Sequence, residues 1–424
     1  AQLENIFDWS GRTRSGDIAE LSGIPEDAPV WPRVTSTADN CLGQQCEWLQ
    51  KCHVIQARRA AQDADLVVIN HHLLCADLAL KEEGFGELLP GADAFIIDEA
   101  HQLPETAARF FGVTLSSRQL QELAQDSISE YLRETAEQEG LPDTARAVDH
   151  AVQEVRLSMG QGEQRLPWSR LAQEKTLIER LARLRESLAA LSAELEQQAG
   201  RSRGLDNCYQ RAVKLQHVLT QTTENPPENT IHWFETWRQS FRINLTPLDV
   251  ADNFSTHRQE LPSRWIFTSA TLSVNDKFEH FARRLGLEDA NTLKLDSPFD
   301  FHNHALFYVP EGLPEPAHGS YTDTMLDHAE QIIRASRGRT FVLFTSYRAL
   351  NIAQRRLKDS CEFPLLVQGS APRNELLQRF RELGNAVLLG TSSFWEGVDV
   401  RGEALSCVII DKLPFASPGD PVWQ

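Results

Sequence analysis

The 424 residues carry 42 basic against 60 acidic side chains, a formal charge of −18, with 41% apolar and 24% charged residues. That is more chain than one hydrophobic core needs, and its globular composition excludes wholesale disorder. No uninterrupted apolar run approaches the roughly 18 residues of a membrane span. Such acidity also excludes adhesion of the whole surface to nucleic acid or anionic lipid, leaving room only for a local basic groove. Of the 42 basic residues 34 are arginine, which suits forked phosphate contacts and equally fits genomic bias.

The chain opens Ala1-Gln2-Leu3-Glu4 with no basic n-region and no apolar h-region, so no secretory signal is visible and a piece of a longer protein is expected. Cys41, Cys46 and Cys52 fall within twelve residues, while Cys75, Cys208, Cys361 and Cys407 are scattered. That distribution is unlike an extracellular disulfide framework and places the chain in a reducing, cytoplasmic compartment. Residues 1 to about 60, rich in Gly, Pro, Asp and Cys, read as a small loop-rich module whose missing core a metal would supply.

Two apolar runs follow, Ala64 to Asn70 and Ala94 to Asp98, and both read as buried strands of a parallel sheet. From about Glu105 to Leu261 the texture turns helical. Leu177, Leu181, Leu184, Leu188, Leu191 and Leu195 recur at spacings of four and three, the seam of a helix packed in an antiparallel insertion or on a globular core. Asn225 to Asn229 marks a loop near the return. Strand patterns resume at Trp265 to Thr268 and Ala305 to Val309. Thr340 to Thr345, Pro364 to Val367, Ala386 to Gly390 and Cys407 to Asp411 then alternate with helical stretches, which predicts a second parallel α/β unit.

Asp98-Glu99-Ala100-His101 stands directly after an apolar strand, at the edge of a parallel sheet where α/β folds bind ligands. Asp98 there suits water-mediated Mg²⁺ binding, Glu99 polarisation of the water that attacks a γ-phosphate, and His101 a relay of nucleotide state. Thr268-Ser269-Ala270-Thr271-Leu272 follows another strand, and the pair reproduces helicase motifs II and III in order. Their separation of about 170 residues calls for an extra domain between them.

Downstream, Thr345 and Ser346 resemble motif IV, delivering hydroxyls toward a phosphate backbone, and Thr391, Ser393, Gly397 and Asp399 resemble motif V. Trp395 reads either as a base-stacking ring or as core. Cys41-x4-Cys46-x5-Cys52 points to metal without choosing between zinc and iron–sulfur. His53 reads as incidental and Cys75 as a buried structural thiol.

Together with Val68 to Leu74, Asp296 to Phe299 and Trp395 to Asp399 running on to Leu413-Pro414-Phe415, these motifs resemble the XPD-like iron–sulfur superfamily 2 DNA helicases of the bacterial DinG/YoaA branch, most of all its YoaA members. The resemblance spans nearly the whole chain. It implies an α/β protein with two RecA-like motor domains, an inserted 4Fe–4S module and a helical arch. The implied division is a partial iron–sulfur module at 1–63, motor domain 1 at 64–104 and again at 256–303, an arch at 105–255, and motor domain 2 at 304–424. It further implies a monomeric motor in DNA repair or replication, driven by ATP and Mg²⁺ and moving 5′→3′ on single-stranded DNA. Asp98, Glu99, Gly397 and Asp399 would face the nucleotide, and Thr345, Ser346, Thr391, Ser393 and Trp395 the DNA. Cys41, Cys46 and Cys52 would be cluster ligands, and the chi subunit of the polymerase III clamp loader a partner.

The chain departs from the family pattern in having no Gly-x4-Gly-Lys-Ser/Thr, no motif VI and no fourth cluster cysteine, all expected outside residues 1–424. Two other readings stay open. One is a non-catalytic or redox-sensing nucleic-acid-binding protein on a helicase scaffold, and the other a zinc-stabilised RNA helicase of the Asp-Glu-Ala-His type.

Overall fold

The computed structural model describes residues 2–21, 23–25, 28–37, 39–82, 89–134, 140–261, 263–395, 397–415 and 420–422. The chain divides into two compact units, Ala1–Thr35 with Asp296–Phe415, and Ser36–Leu295 with Ala416–Gln424.

In the second of these, strand β1 (Ala94–Ile97) pairs in parallel with β6 (Arg264–Phe267), Ile97 opposite Phe267. Alternation sorts their side chains. Phe95 and Trp265 stack at 4.4 Å on the inner face, where Phe254 of the helix Ala251–Glu260 meets Trp265 edge-on. Leu74 and Leu78 of the helix His71–Glu82 and Leu103 and Ala107 of the helix Leu103–Phe110 complete this core. On the other face Ile96 and Ile266 are exposed.

The stretch between these two strands is only partly helical. The leucine seam forms one side of the 23-residue helix Lys175–Gln197, with all six leucines buried. That helix packs with Ser117–Glu134, Leu141–Ser158 and Arg203–Thr223 around one apolar core. An antiparallel sheet, unforeseen in the sequence, closes that core. Its strands β2 (Val113–Ser116), β3 (Gln164–Pro167), β4 (Thr230–Thr236) and β5 (Phe241–Pro247) lie in the order β2-β5-β4-β3. Phe234 stands opposite both Ile243 and Leu166, so one face delivers apolar side chains to the helices. Arg156 is buried beside the β4–β5 turn, its guanidinium donating to the carbonyls of Trp237, Gly160 and Gly162.

In the first unit, β7 (Thr340–Leu343), β8 (Leu365–Val367), β9 (Val387–Gly390) and β10 (Cys407–Ile410) form an all-parallel sheet in the order β10-β7-β9-β8. Every residue of β7 and β9 is buried, as a two-faced sheet demands. Val342 and Leu389 face the helices Tyr321–Ala335 and Tyr347–Ser360, while Phe341 and Leu388 face Arg373–Leu383. Residues Ala1–Thr35 add a small cluster of Ile6, Ile24, Ala28 and Trp31.

Two expected strands are absent. Ala64 to Asn70 and Ala305 to Val309 run without helix or strand pairing, leaving Leu66, Val68, Leu306 and Phe307 exposed. β-branched and aromatic residues favour a strand only where a neighbour supplies the ladder, and among the described residues none pairs with either run. No helix among the described residues is long and apolar enough to cross a membrane.

Candidate functional site

Asp98 and Glu99 follow directly on β1, at the carboxyl edge of the β1–β6 pair. The ladder continues one step past the strands, with the Thr268 amide donating to Ile97 O (2.8 Å) and the Ala100 amide to Thr268 O (2.9 Å). Two loops 170 residues apart are thereby held side by side, as the hydrogen bonds between their side chains show.

Thr268 Oγ1 donates to Asp98 Oδ1 at 3.0 Å, and Ser269 Oγ donates to Glu99 Oε2 at 3.2 Å. His101 Nδ1 lies 2.9 Å from Ser269 Oγ and 3.3 Å from Glu99 Oε2, and the Thr271 amide also donates to Ser269 Oγ. The three expected residues Asp98, Glu99 and His101 therefore meet, joined through Ser269. Asp98 Oδ2 and the half-exposed Glu99 carboxylate suit a hydrated divalent cation, since Mg²⁺ keeps most of its water and takes one or two carboxylates. Glu99 has a left-handed backbone, φ +48°, where the chain leaves the strand for the turn Ala100–Gln102. His71 reaches this loop as well, its Nε2 2.8 Å from Asp98 O. His71 belongs to the Val68–Leu74 stretch that carries the family resemblance but has no role of its own in the sequence reading, although it opens a helix directly after an apolar run, the same signal that singles out Asp98.

The carboxyl edge of the other parallel sheet gathers a second set. Thr345 follows β7 and Thr391 follows β9, and Ser346 caps the helix Tyr347–Ser360, its Oγ accepting from the Ala349 amide at 3.2 Å. Thr391 is buried, both its amide (2.6 Å) and its Oγ1 (3.0 Å) donating to Gln368 Oε1. Gln368 Nε2 in turn donates to Tyr347 Oη at 2.8 Å. Asp411, buried after β10, accepts from the Thr345 amide at 3.1 Å and from the Lys412 amide at 2.7 Å. Burial pushes the Asp411 carboxyl up, and these donors oppose the shift. Gln368 and Asp411 are polar residues placed directly after apolar strands, and that placement could have singled them out.

Gly390 has no room for a side chain, because a Cβ there would lie 2.9 Å from Phe394. Ser393 is exposed, and Trp395 is half-buried against the cluster of Leu376, Phe380 and Phe394. Gly397 takes φ +65°, with its carbonyl accepting from Arg373 at 2.9 Å. Exposed Asp399 pairs with Arg401 at 3.0 Å, a surface contact of small energetic weight. Glu396 of the same motif lies outside the described residues.

The cysteines border two consecutive 3₁₀ turns, Gly43–Gln45 and Leu49–Lys51, with Cys41 exposed and Cys46 and Cys52 half-buried. Three accessible thiols are soft donors of the type that holds zinc or iron–sulfur, one short of the usual four. Among the described residues no group of three or more His, Cys, Asp or Glu side chains is gathered to hold a metal ion. Cys75 is fully buried beside Leu74 and Leu78, and burial pushes its thiol up to about 12, the environment of an inert core cysteine.

Residues 329–424 match the helicase C-terminal domain family. Over 416 residues the chain is 42% identical to the ATP-dependent DNA helicase YoaA of Escherichia coli, covering 98% of this chain and 65% of that protein. The chain is homologous to the YoaA helicases. YoaA of Haemophilus influenzae is 40% identical over 425 residues (100% of this chain, 66% of that one). The helicase DinG of Mycobacterium tuberculosis is 28% identical over 438 residues (99% and 63%). The chain thus spans a little under two thirds of the length of these YoaA and DinG relatives. A solved XPD helicase shares the fold with a TM-score of 0.52 at 16% identity, covering 88% of this chain and 63% of that one. The RecA-like parallel sheets expected from the motifs are those of β1–β6 and of β7–β10.

Proposed function

We propose that the protein containing this chain is an ATP-dependent DNA helicase that moves 5′→3′ along single-stranded DNA. The observation that most supports this reading is the coupling of the Asp98–Glu99 carboxylates to Thr268 and Ser269, by two direct hydrogen bonds of 3.0 and 3.2 Å and by two contacts of 2.9 and 3.3 Å through His101. A motor needs its nucleotide site linked to a second element in this way, so that hydrolysis is felt beyond the nucleotide.

In this reading Asp98, whose Oδ1 accepts from Thr268, would hold a hydrated Mg²⁺, which would supply charge neutralisation on the bound nucleotide's phosphates. Glu99 Oε2 accepts from Ser269, with His101 Nδ1 3.3 Å away, and the other carboxylate oxygen orients the attacking water. His101 links the carboxylate to Ser269 and Thr271, which carry the change toward the DNA path. On the carboxyl edge of the β7–β10 sheet Thr345, Ser346 and the exposed Ser393 face the phosphate backbone and Trp395 stacks on a base, while Thr391, buried with its amide and hydroxyl both donating to Gln368, shapes that edge rather than touching phosphate.

Cys41, Cys46 and Cys52 supply three thiolates of a 4Fe–4S cluster, completed by a thiolate other than Cys75. Likeness to YoaA extends the proposal to the module and arch divisions at 1–63 and 105–255, a cytoplasmic monomer, and the chi subunit of the polymerase III clamp loader as partner.

The test is ATP hydrolysis by the full-length protein with and without single-stranded DNA. DNA should stimulate turnover, and Glu99→Gln should abolish it while nucleotide binding persists, since the metal carboxylate at Asp98 remains. Turnover indifferent to DNA, or unchanged in Glu99→Gln, would remove the reading.

A further inference from the structure

We infer that His71 is a positioning residue that fixes the Asp98–Glu99 peptide, and through it the direction of the Glu99 carboxylate. His71 Nε2 lies 2.8 Å from Asp98 O. A carbonyl oxygen only accepts, so the ring must donate and Nε2 carries the proton in either charge state of the imidazole. The carbonyl belongs to the peptide unit whose nitrogen is that of Glu99, so holding the oxygen restricts rotation of that peptide plane. Rotation would change the φ of Glu99, which stands at +48°, a left-handed value that a side chain with a Cβ seldom adopts. Such a conformation persists only where its surroundings dictate it, and the imidazole is one of the groups that do.

His71 is itself held from two sides. It is the first residue of the helix His71–Glu82, whose start is fixed by Asn70 Oδ1 accepting from the Leu73 amide at 2.8 Å. One turn on, Leu74, Cys75 and Leu78 anchor the helix in the core beneath β1, and His72 meets Phe110 edge-on at 5.9 Å. The ring therefore presents its proton from a rigid element, as a group that orients a catalytic carboxylate must.

The inference rests on the hydrolysis reading above, and the experiment separates the two. In the full-length protein, His71→Phe keeps a flat ring without the donor, and His71→Gln keeps an N–H close to the position of Nε2. With saturating single-stranded DNA, His71→Phe should lower kcat for ATP by about fivefold to tenfold, the rate equivalent of one hydrogen bond, with KM nearly unchanged. His71→Gln should recover most of that loss. Nitrogen-15 spectra of the imidazole in the unaltered protein should show a protonated Nε2 at every pH at which it folds. Normal kcat in His71→Phe beside an inactive Glu99→Gln would overturn this role alone, as would a bare Nε2 or equal losses in the two variants. Absent DNA-stimulated turnover in the unaltered protein would overturn both readings together.

Discussion

Ser269→Ala probes the link between the two motor motifs with least disturbance elsewhere. Ser269 Oγ donates to Glu99 Oε2 at 3.2 Å, meets His101 Nδ1 at 2.9 Å and accepts from the Thr271 amide at 3.2 Å. Removing it leaves Glu99 Oε2 with the His101 contact at 3.3 Å. The Glu99 side chain is 56% exposed and that of His101 31% exposed, so water replaces much of what is lost and folding stability should fall by no more than about 1 kcal/mol. Orientation of the carboxylate is a separate matter. One hydrogen bond of about 0.5–1.5 kcal/mol that steadies the water-polarising geometry corresponds to a roughly twofold to twelvefold loss of turnover. The full-length variant should therefore melt within a few degrees of the unaltered protein, hydrolyse ATP several-fold more slowly under DNA stimulation, and bind nucleotide normally. Unchanged turnover would refute the coupling, and a loss of stability well beyond 1 kcal/mol would reassign Ser269 to the fold.

His232 stacks on Trp168 at 4.9 Å with its Nε2 buried and without a hydrogen-bond partner among the described residues, and burial pushes its pKa down from 6.5 to about 4. A depressed folded pKa means that the unfolded chain binds the proton more readily, so stability is full above pH 6.5 and declines as pH falls toward 4. The ring is only part-buried, and the loss should be on the order of 1–3 kcal/mol. His232→Phe should flatten the melting temperature across that window, and an equally steep decline in the variant would contradict the assignment. Trp395→Ala should weaken single-stranded DNA binding by roughly 1–3 kcal/mol in a filter or anisotropy assay if the half-buried ring stacks on a base. Loss of folding without a separable DNA defect would make it a core residue. Replacing Cys41, Cys46 or Cys52 by Ser in the full-length protein should bleach iron–sulfur absorption near roughly 400 nm, whereas Cys75→Ser should not. Stoichiometric zinc without iron in anaerobically prepared protein would overturn the cluster.

The site was legible in the sequence where a short apolar strand ends in polar residues. Asp98, Thr268, Thr345 and Thr391 were found by that pattern, because a parallel sheet places its strand ends at one edge whatever the intervening chain does. Gln368 and Asp411 carry the same mark and were overlooked, because glutamine and a lone aspartate suggest no chemistry until their partners are known. The leucine seam read true because one buried stripe at spacings of three and four fits a single packed helix. The sheet β2–β5 was hidden for the opposite reason. Trp233 and Phe234 of β4, and Ile243, Asn244 and Leu245 of β5, are buried on both faces, so alternation vanishes from the sequence. Ala64 to Asn70 and Ala305 to Val309 show the converse, a strand-like composition without a partner strand.

Strand displacement tests the central claim most directly. The full-length protein should unwind a duplex carrying a 5′ single-stranded tail in the presence of ATP and Mg²⁺, leave a 3′-tailed duplex largely intact, and lose the activity in Glu99→Gln. Equal unwinding of both tails would contradict the direction of travel, and unwinding that persists without ATP or in Glu99→Gln would contradict a motor powered at Asp98 and Glu99.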